Sequence, residues 1–354
     1  MTTPSYFRPC IERMAGYVPG RQPRGRDYVK LNANENPFPP SPKVAEALHE
    51  AVNSVLRLYP DAMATELREK IAQLHGLSAD NVLVGNGSDD LLAMILRSFV
   101  GEGEGVAAPR PTYPLYEVLV EIQNGTMQWV DFPPDFSLPA GLADTGAKVT
   151  FVANPNSPSG TWVKPEAVAE LADRLDGILV VDEAYVDFAH GDCVSLVGRC
   201  PNVIVLRTFS KSFSLAGLRL GYGLASPEII EGMVKVKDSY NVNRFAIAAG
   251  VAALGDIEYM RANVATIRAE RSRVASALSE MGFAVLPSHT NFVAARCTVP
   301  TAKALGAGLE ERGFLIRTFG DPRLDDWVRI SMGTPEQNGV LLAEIQRLVE
   351  AQRP

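Results

Sequence analysis

From residue 42 onward, short apolar runs alternate with stretches of helical spacing. In "SPKVAEALHEAVNSVLRLYP" (41–60) Val44, Leu48, Val52 and Val55 share one helical face, with Ser41 as cap and Pro42 at the first helical position. "ATELREKIAQLHG" (64–76) predicts a second helix closed by Gly76. "NVLVGNGSDDLLAMILRSF" (81–99) reads as strand, tight polar turn and helix. "KVTFVANPNSPSG" (148–160) is a strand running into a Pro/Asn/Gly loop. "PEAVAELADRLDG" (165–177) is a helix, and "ILVVDEAY" (178–185), "NVIVLRTFS" (202–210) and "GYGLAS" (221–226) contain further strands. Short continuous apolar strands between helices predict an α/β fold, with a mostly parallel sheet covered by helices on both faces. Ligand groups gather at the carboxyl ends of such strands. Four polar clusters fall there: Gly87 to Asp89, the loop 154–160, Asp182 to Tyr185, and Ser210-Lys211.

After about Leu254 the texture changes. "MRANVATIRAERSRVASALSEMG" (260–282) is a long, charged amphipathic helix. "FAVLPSHTNFVAARC" (283–297), "GFLIRTFG" (313–320) and "DWVRISMG" (326–333) read as strands, and the end is helical again. A smaller α+β domain is expected over 254–354, after a large domain over 37–253. Residues 1–36 form an arm that joins the smaller domain, the extended character of the Pro-, Gly- and Asn-rich start continuing to about residue 40.

Composition narrows the classes. A chain of 354 residues suits a large and a small domain, and 46% hydrophobic with 21% charged residues is ordinary for a globular protein. A net charge of −7 argues against nucleic acid as a partner, because that role needs a basic face. The four cysteines, Cys10, Cys193, Cys200 and Cys297, form no CxxC pair and no disulfide-like spacing, which fits a reducing compartment. The four histidines are scattered, so no histidine metal site is expected. The charged start and the lack of a run of ~18 apolar residues point to a cytoplasmic protein with no membrane contact.

Candidate chemistry centres on "RTFSKSFSLAGLRLGYGLA" (207–225). A lone lysine is ordinarily a solvated surface charge. At the end of an apolar strand, in a partly dry cleft, the amine of Lys211 suits Schiff-base formation with an aldehyde. Asp182 ends a buried run, where a carboxylate is costly unless it meets a cation or donors. A protonated pyridine nitrogen is one such cation, and a helix to cap is the structural alternative. Tyr185 is placed for a ring hydroxyl, or for packing. "GNGSDDLL" (85–92) offers amides at a helix start to an anion, or an ordinary cap. Ser210 and Arg219 add donors for the same phosphate. Tyr113 offers a face for stacking on a cofactor ring, or packs only. Arg317 and Arg329, near strand ends, clamp a carboxylate or phosphate, or form surface ion pairs.

These segments together resemble the fold-type-I pyridoxal-phosphate aminotransferases, specifically the histidinol-phosphate aminotransferase family. The carriers, in order along nearly the whole chain, are "LNANENP" (31–37), "LYPD" (58–61), "GNGSDD" (85–90), "PTYPLY" (111–116), "NPNSPSG" (154–160), "VVDEAY" (180–185), "TFSKSFSLAGLRLGY" (208–222), "YNVNR" (240–244) and "VRISMGT" (328–334).

The resemblance implies an aspartate-aminotransferase-like fold and pyridoxal 5′-phosphate as cofactor. Lys211 joins the cofactor's aldehyde, then moves a proton between substrate Cα and cofactor C4′. Asp182 keeps the pyridine nitrogen protonated, and Tyr185 bonds the phenolic oxygen. The Ser88 and Asp89 amides, Ser210 and Arg219 hold the phosphate, and Tyr113 stacks on the ring. Tyr59 reaches the phosphate of a second copy, which makes a homodimer with shared sites. Arg329 binds the substrate's carboxylate or other anion, Arg317 a distal phosphate or carboxylate with help from Tyr17, and Asn34 lies on the substrate side. One position departs from the family pattern. Ser157 stands where a second asparagine usually bonds the phenolic oxygen, so a water, Asn154 or Tyr185 alone must serve there.

The implied reaction is transfer of the amino group between histidinol phosphate and 2-oxoglutarate, in histidine biosynthesis. On this scaffold an aromatic amino acid aminotransferase, a threonine-phosphate decarboxylase and a cofactor-binding protein without catalysis are the alternatives, since only pocket contacts separate them. A decarboxylase releases CO₂ and needs no keto-acid acceptor. A plain nucleotide-binding α/β protein lacks visible absorbance.

Overall fold

The computed structural model describes residues 6–18, 20 and 28–352. Its strands in chain order are β1 (Val29–Leu31), β2 (Val82–Gly85), β3 (Gly105–Arg110), β4 (Thr126–Asp131), β5 (Val149–Ala153), β6 (Ile178–Asp182), β7 (Val203–Thr208), β8 (Gly221–Leu224), β9 (Ala284–Val285), β10 (Phe292–Arg296), β11 (Phe314–Thr318) and β12 (Trp327–Ser331). Among the described residues they form two sheets. The larger runs β2-β8-β7-β6-β5-β3-β4 and is parallel except for β8. The smaller runs β1-β11-β12-β10-β9, antiparallel except where β1 joins β11.

The continuous apolar runs mark strands buried on both faces. Along β6 and β7 successive side chains alternate between two cores: Leu179, Val181, Val203 and Val205 enter one, Val180, Ile204 and Leu206 the other. Leu67, Ile71, Val168 and Leu171, from the helices Thr65–His75 and Pro165–Arg174, close the first face. Leu91, Leu92, Ile95 and Tyr116, from the helices Ser88–Phe99 and Leu115–Ile122, close the second. Each such side chain, fully buried, contributes about 1.5–3 kcal/mol relative to exposure. With β2, β3, β5, β6 and β7 pointing the same way, the polar clusters after them meet at one edge of the sheet.

Several sequence expectations change. The helix begun by Ser41, whose hydroxyl accepts from the Lys43 amide, stops at Ala51 rather than running on toward residue 60. Asn53 caps a separate 3₁₀ turn, Ser54–Arg57, which carries Val52 and Val55 off the buried face; both are exposed. The N-terminal arm is not wholly extended, since Pro9–Arg13 is a short helix. Its residues 1–5, 19 and 21–27 lie outside the described residues. β3, whose apolar run of Val106 to Pro109 is short and built of small residues, and β4, interrupted by Gln128, were not disclosed by the pattern. "FAVLPSHTNFVAARC" divides into β9 and β10, because the turn at Pro287 to Asn291 leaves the ladder, its Ser288 and Thr290 hydroxyls bonding each other and the Phe292 carbonyl.

One buried charge cluster ties the strand ends together. Arg207 on β7 lies against Glu183, with Nε at 3.0 Å and Nη2 at 2.9 Å, and Nη2 also meets Asp192 at 2.9 Å. Burial opposes the Arg207 charge, yet Glu183, Asp187 and Asp192 hold it above its ordinary value. Arg207→Met strands the buried Glu183 carboxylate, and the expected loss is about 3–5 kcal/mol in urea unfolding. Arg174→Met, at an exposed pair with Asp144, is expected to change stability by less than about 1 kcal/mol.

Candidate active site

The end of β6 sets the first element. Asp182 is 5% exposed and accepts a hydrogen bond from the Tyr116 phenol at 2.8 Å and from the Ala184 amide at 3.1 Å. Burial pushes its carboxyl up to about 6, against the pull of those donors and of the Lys211 charge. A buried carboxylate with two neutral donors and no ion-pair partner among the described residues is a site for a cation.

Lys211 follows the adjacent strand β7. Its Nζ donates to the Ala33 carbonyl at 3.3 Å and stands 5.6 Å from the centre of the Tyr185 ring. The backbone around it is pinned. Asn36 donates to the carbonyls of Lys211 and Ser212 at 2.9 and 3.1 Å, and the Ser212 hydroxyl bonds Asp187 of the buried charge cluster. Tyr185 accepts from Asn34 Nδ2 at 2.9 Å.

The turn after β2 supplies an anion cradle. The helix Ser88–Phe99 opens at this edge, and its first amides have no acceptor within the helix. Gly87 has φ 87°, and a β-carbon there would lie 2.7 Å from Arg219 Nη2. A β-carbon on Gly221 would lie 2.5 Å from the Ser88 amide nitrogen, so glycine at both places keeps these donors together. Arg219 reaches Asp89 at 3.0 Å and Ser210 at 3.4 Å. Tyr113 stands above this edge, its phenol 3.4 Å from Asp89, its ring edge-on to Tyr116 and Tyr17.

On the facing sheet, Arg317 and Arg329 are directly opposed across β11 and β12. Like charges so placed repel, and no carboxylate pairs with either among the described residues. Arg329 donates to the Ser157 hydroxyl at 3.1 Å and the Asn32 carbonyl at 3.0 Å, and lies over the Phe292 ring. Burial, with some help from Arg317, pulls its guanidinium below the ordinary value. This pair fits an anion with more than one oxygen.

Not every predicted residue joins the cluster as expected. Asn154 is fully buried, with its carboxamide bonded both ways to the Val163 backbone at 2.8 Å, and so braces the loop rather than facing a cofactor. Ser157 meets Arg329 on the substrate side. Asn34 is 1% exposed with its amide engaged by Ser331 and Tyr185, so it supports the site instead of meeting substrate. Tyr59 is 76% exposed, stacks on Tyr240 at 4.4 Å, and has its carbonyl held by Arg244. Sequence reading overlooked Tyr116, Asn36 and the Ala33 carbonyl. For Asn36 a signal existed: asparagines at 32, 34 and 36 alternate in an extended segment. For Tyr116 none did, because its partner is distant in sequence.

Comparison with known proteins agrees with this geometry. The family model described as aminotransferase class I and II matches residues 26–345. The chain is 43% identical over 349 residues to histidinol-phosphate aminotransferase 1 of a Nostoc species, covering 98% of this chain and 99% of the relative. It is 45% identical over 349 residues to a histidinol-phosphate aminotransferase of Syntrophotalea carbinolica, covering 96% and 98%. The crystal structure of a Sinorhizobium meliloti histidinol-phosphate aminotransferase in complex with pyridoxal-5′-phosphate superposes with a TM-score of 0.91 at 31% identity, covering 99% of this chain and 100% of that one. With a buried acid that has no ion-pair partner among the described residues, an amine just past the next strand and an anion cradle at one sheet edge, the chain belongs to the class I and II aminotransferases, in the histidinol-phosphate aminotransferase family.

Proposed function

We propose that the protein transfers the amino group of histidinol phosphate to 2-oxoglutarate, giving imidazole-acetol phosphate and glutamate. Full-length similarity to named histidinol-phosphate aminotransferases supports this reading. The observation that carries it is the unpaired Arg317–Arg329 couple, which suits the phosphate of one substrate and a carboxylate of the other.

The residues fit pyridoxal 5′-phosphate. Asp182 has room in its charge balance for a ring cation, Tyr113 offers a face, and the Ser88 and Asp89 amides, Ser210 and Arg219 converge as phosphate donors. When bound, the cofactor supplies an electron sink for the carbon that loses its proton. Lys211 anchors it and then carries the proton. Tyr185 donates toward the phenolic oxygen, and Arg329 and Arg317 orient the substrate's anionic groups.

In this reading Tyr59 serves the site of a second copy in a homodimer; its exposed ring, stacked only on Tyr240 among the described residues, supports that. We also place the enzyme in the cytoplasm, in line with its biosynthetic relatives; no described helix is long and apolar enough to cross a membrane. The division into a cofactor domain over 37–253 and a smaller domain over 254–354, joined by 1–36, belongs to the same reading. Pairing of β1 with β11 supports it.

The decisive experiment mixes the holoenzyme with histidinol phosphate, phenylalanine, tyrosine, aspartate or threonine phosphate, and follows bleaching of the visible cofactor band. Fastest bleaching is expected with histidinol phosphate; preference for an aromatic amino acid, or release of CO₂ from threonine phosphate, refutes the assignment. Lys211→Ala is expected to fold and to lose the half-reaction by about 10²–10⁴-fold or more. Arg317→Leu is expected to lower kcat/KM for histidinol phosphate by about 10–100-fold, the loss of one charge-assisted contact. Mixing Tyr59→Phe with Lys211→Ala subunits tests sharing: activity should differ from that of the diluted single variants, and simple dilution behaviour excludes it.

A further inference from the structure

The segment Asn32 to Asn36 touches three parts of the site: Arg329, Lys211 and Tyr185. The Asn32 carbonyl accepts from Arg329, and the Ala33 carbonyl from the Lys211 amine. Asn34 donates to Tyr185, and Asn36 holds the Lys211 backbone. At its centre Asn34 has φ 56°, a left-handed conformation that asparagine tolerates better than most residues.

The orientation of the Asn34 amide is dictated by its neighbours. Its backbone N–H donates to Ser331 Oγ at 2.9 Å, so that hydroxyl's own proton is free to donate to Asn34 Oδ1, also at 2.9 Å. Oδ1 therefore faces Ser331, and Nδ2 faces Tyr185. The Asn34 carbonyl is held in turn by Asn291 at 3.0 Å. With Nδ2 donating to Tyr185 Oη, the phenol's own proton must point away from Asn34. Ser331 lies two residues after Arg329 and on the same face of β12, so the chain of bonds runs from the anion-binding strand to the end of β6.

We propose that Asn34 is a positioning residue: held by Ser331, it turns the Tyr185 hydroxyl proton toward the cofactor's phenolic oxygen and thereby lowers the pH at which the lysine–cofactor linkage gives up its proton. The proposal rests on the aminotransferase reading. A donor to the phenolic oxygen stabilises its negative charge and makes the linkage easier to deprotonate. Without Asn34 the phenol is free to turn away, and that stabilisation falls.

The test is a pH titration of the visible absorbance of the holoenzyme, with no substrate present. Asn34→Gly removes the amide and suits the positive φ. It is expected to raise the midpoint by about one pH unit, the worth of one such hydrogen bond. Tyr185→Phe is expected to raise it too, and Asn34→Gly added to Tyr185→Phe to raise it no further, because the effect passes through the phenol. An unchanged midpoint in Asn34→Gly, or a shift that adds in full to that of Tyr185→Phe, overturns the proposal. If Asn34→Gly does not fold, Ser331→Ala decides: release of the amide raises the midpoint, and an unchanged midpoint overturns the proposal. A wild-type protein that takes up no cofactor refutes the aminotransferase reading and this inference together. A wild type that titrates, with variants that titrate alike, overturns this inference alone.

Discussion

The site is organised around a negative charge held where water cannot stabilise it. Asp182 terminates a strand that is buried on both faces, and the protein gives its carboxylate only a phenol and one amide. Such a group either takes up a proton or waits for a cation. The fold answers by placing the Lys211 amine just past the neighbouring strand β7, without an ion pair to Asp182 among the described residues.

The opposite imbalance appears on the facing sheet. Arg317 and Arg329 oppose one another with no acid between them, a repulsive arrangement in the bare protein. One wall of the cleft is thus short of positive charge and the other has too much of it. Arg207, more deeply buried, is instead surrounded by Glu183, Asp187 and Asp192 and braces the loop behind Lys211.

Between the two walls lies the Asn32–Asn36 segment. Its carbonyls and amides bond to the arginine, the amine and the phenol in turn, so movement of one sheet relative to the other is felt at all three. The Ser157 position belongs to the same boundary. Its short hydroxyl accepts from Arg329 and so joins the arginine side of that boundary.

The parallel sheet, its carboxyl-end clusters, and the roles of Lys211, Asp182 and Arg219 as site candidates were legible in the sequence, because apolar runs, helical periodicity and strand-end polarity are local signals. The family was legible for the same reason: its motifs are short contiguous strings. Less legible were β3, whose apolar run is short and built of small residues, β4, interrupted by Gln128, and the early end of the first long helix at Ala51. Tertiary structure alone decided which polar side chains face the cleft. Asn154 and Asn34 carry the same amide as any ligand-binding asparagine, yet Val163 consumes one, and Ser331 and Tyr185 the other. Tyr116 meets Asp182 only because a helix crosses the sheet at that point. A residue's chemistry is written in its own letter, but the partner that satisfies or frees it can lie far along the chain, 297 positions for Asn34 and Ser331, and only folding brings the two together.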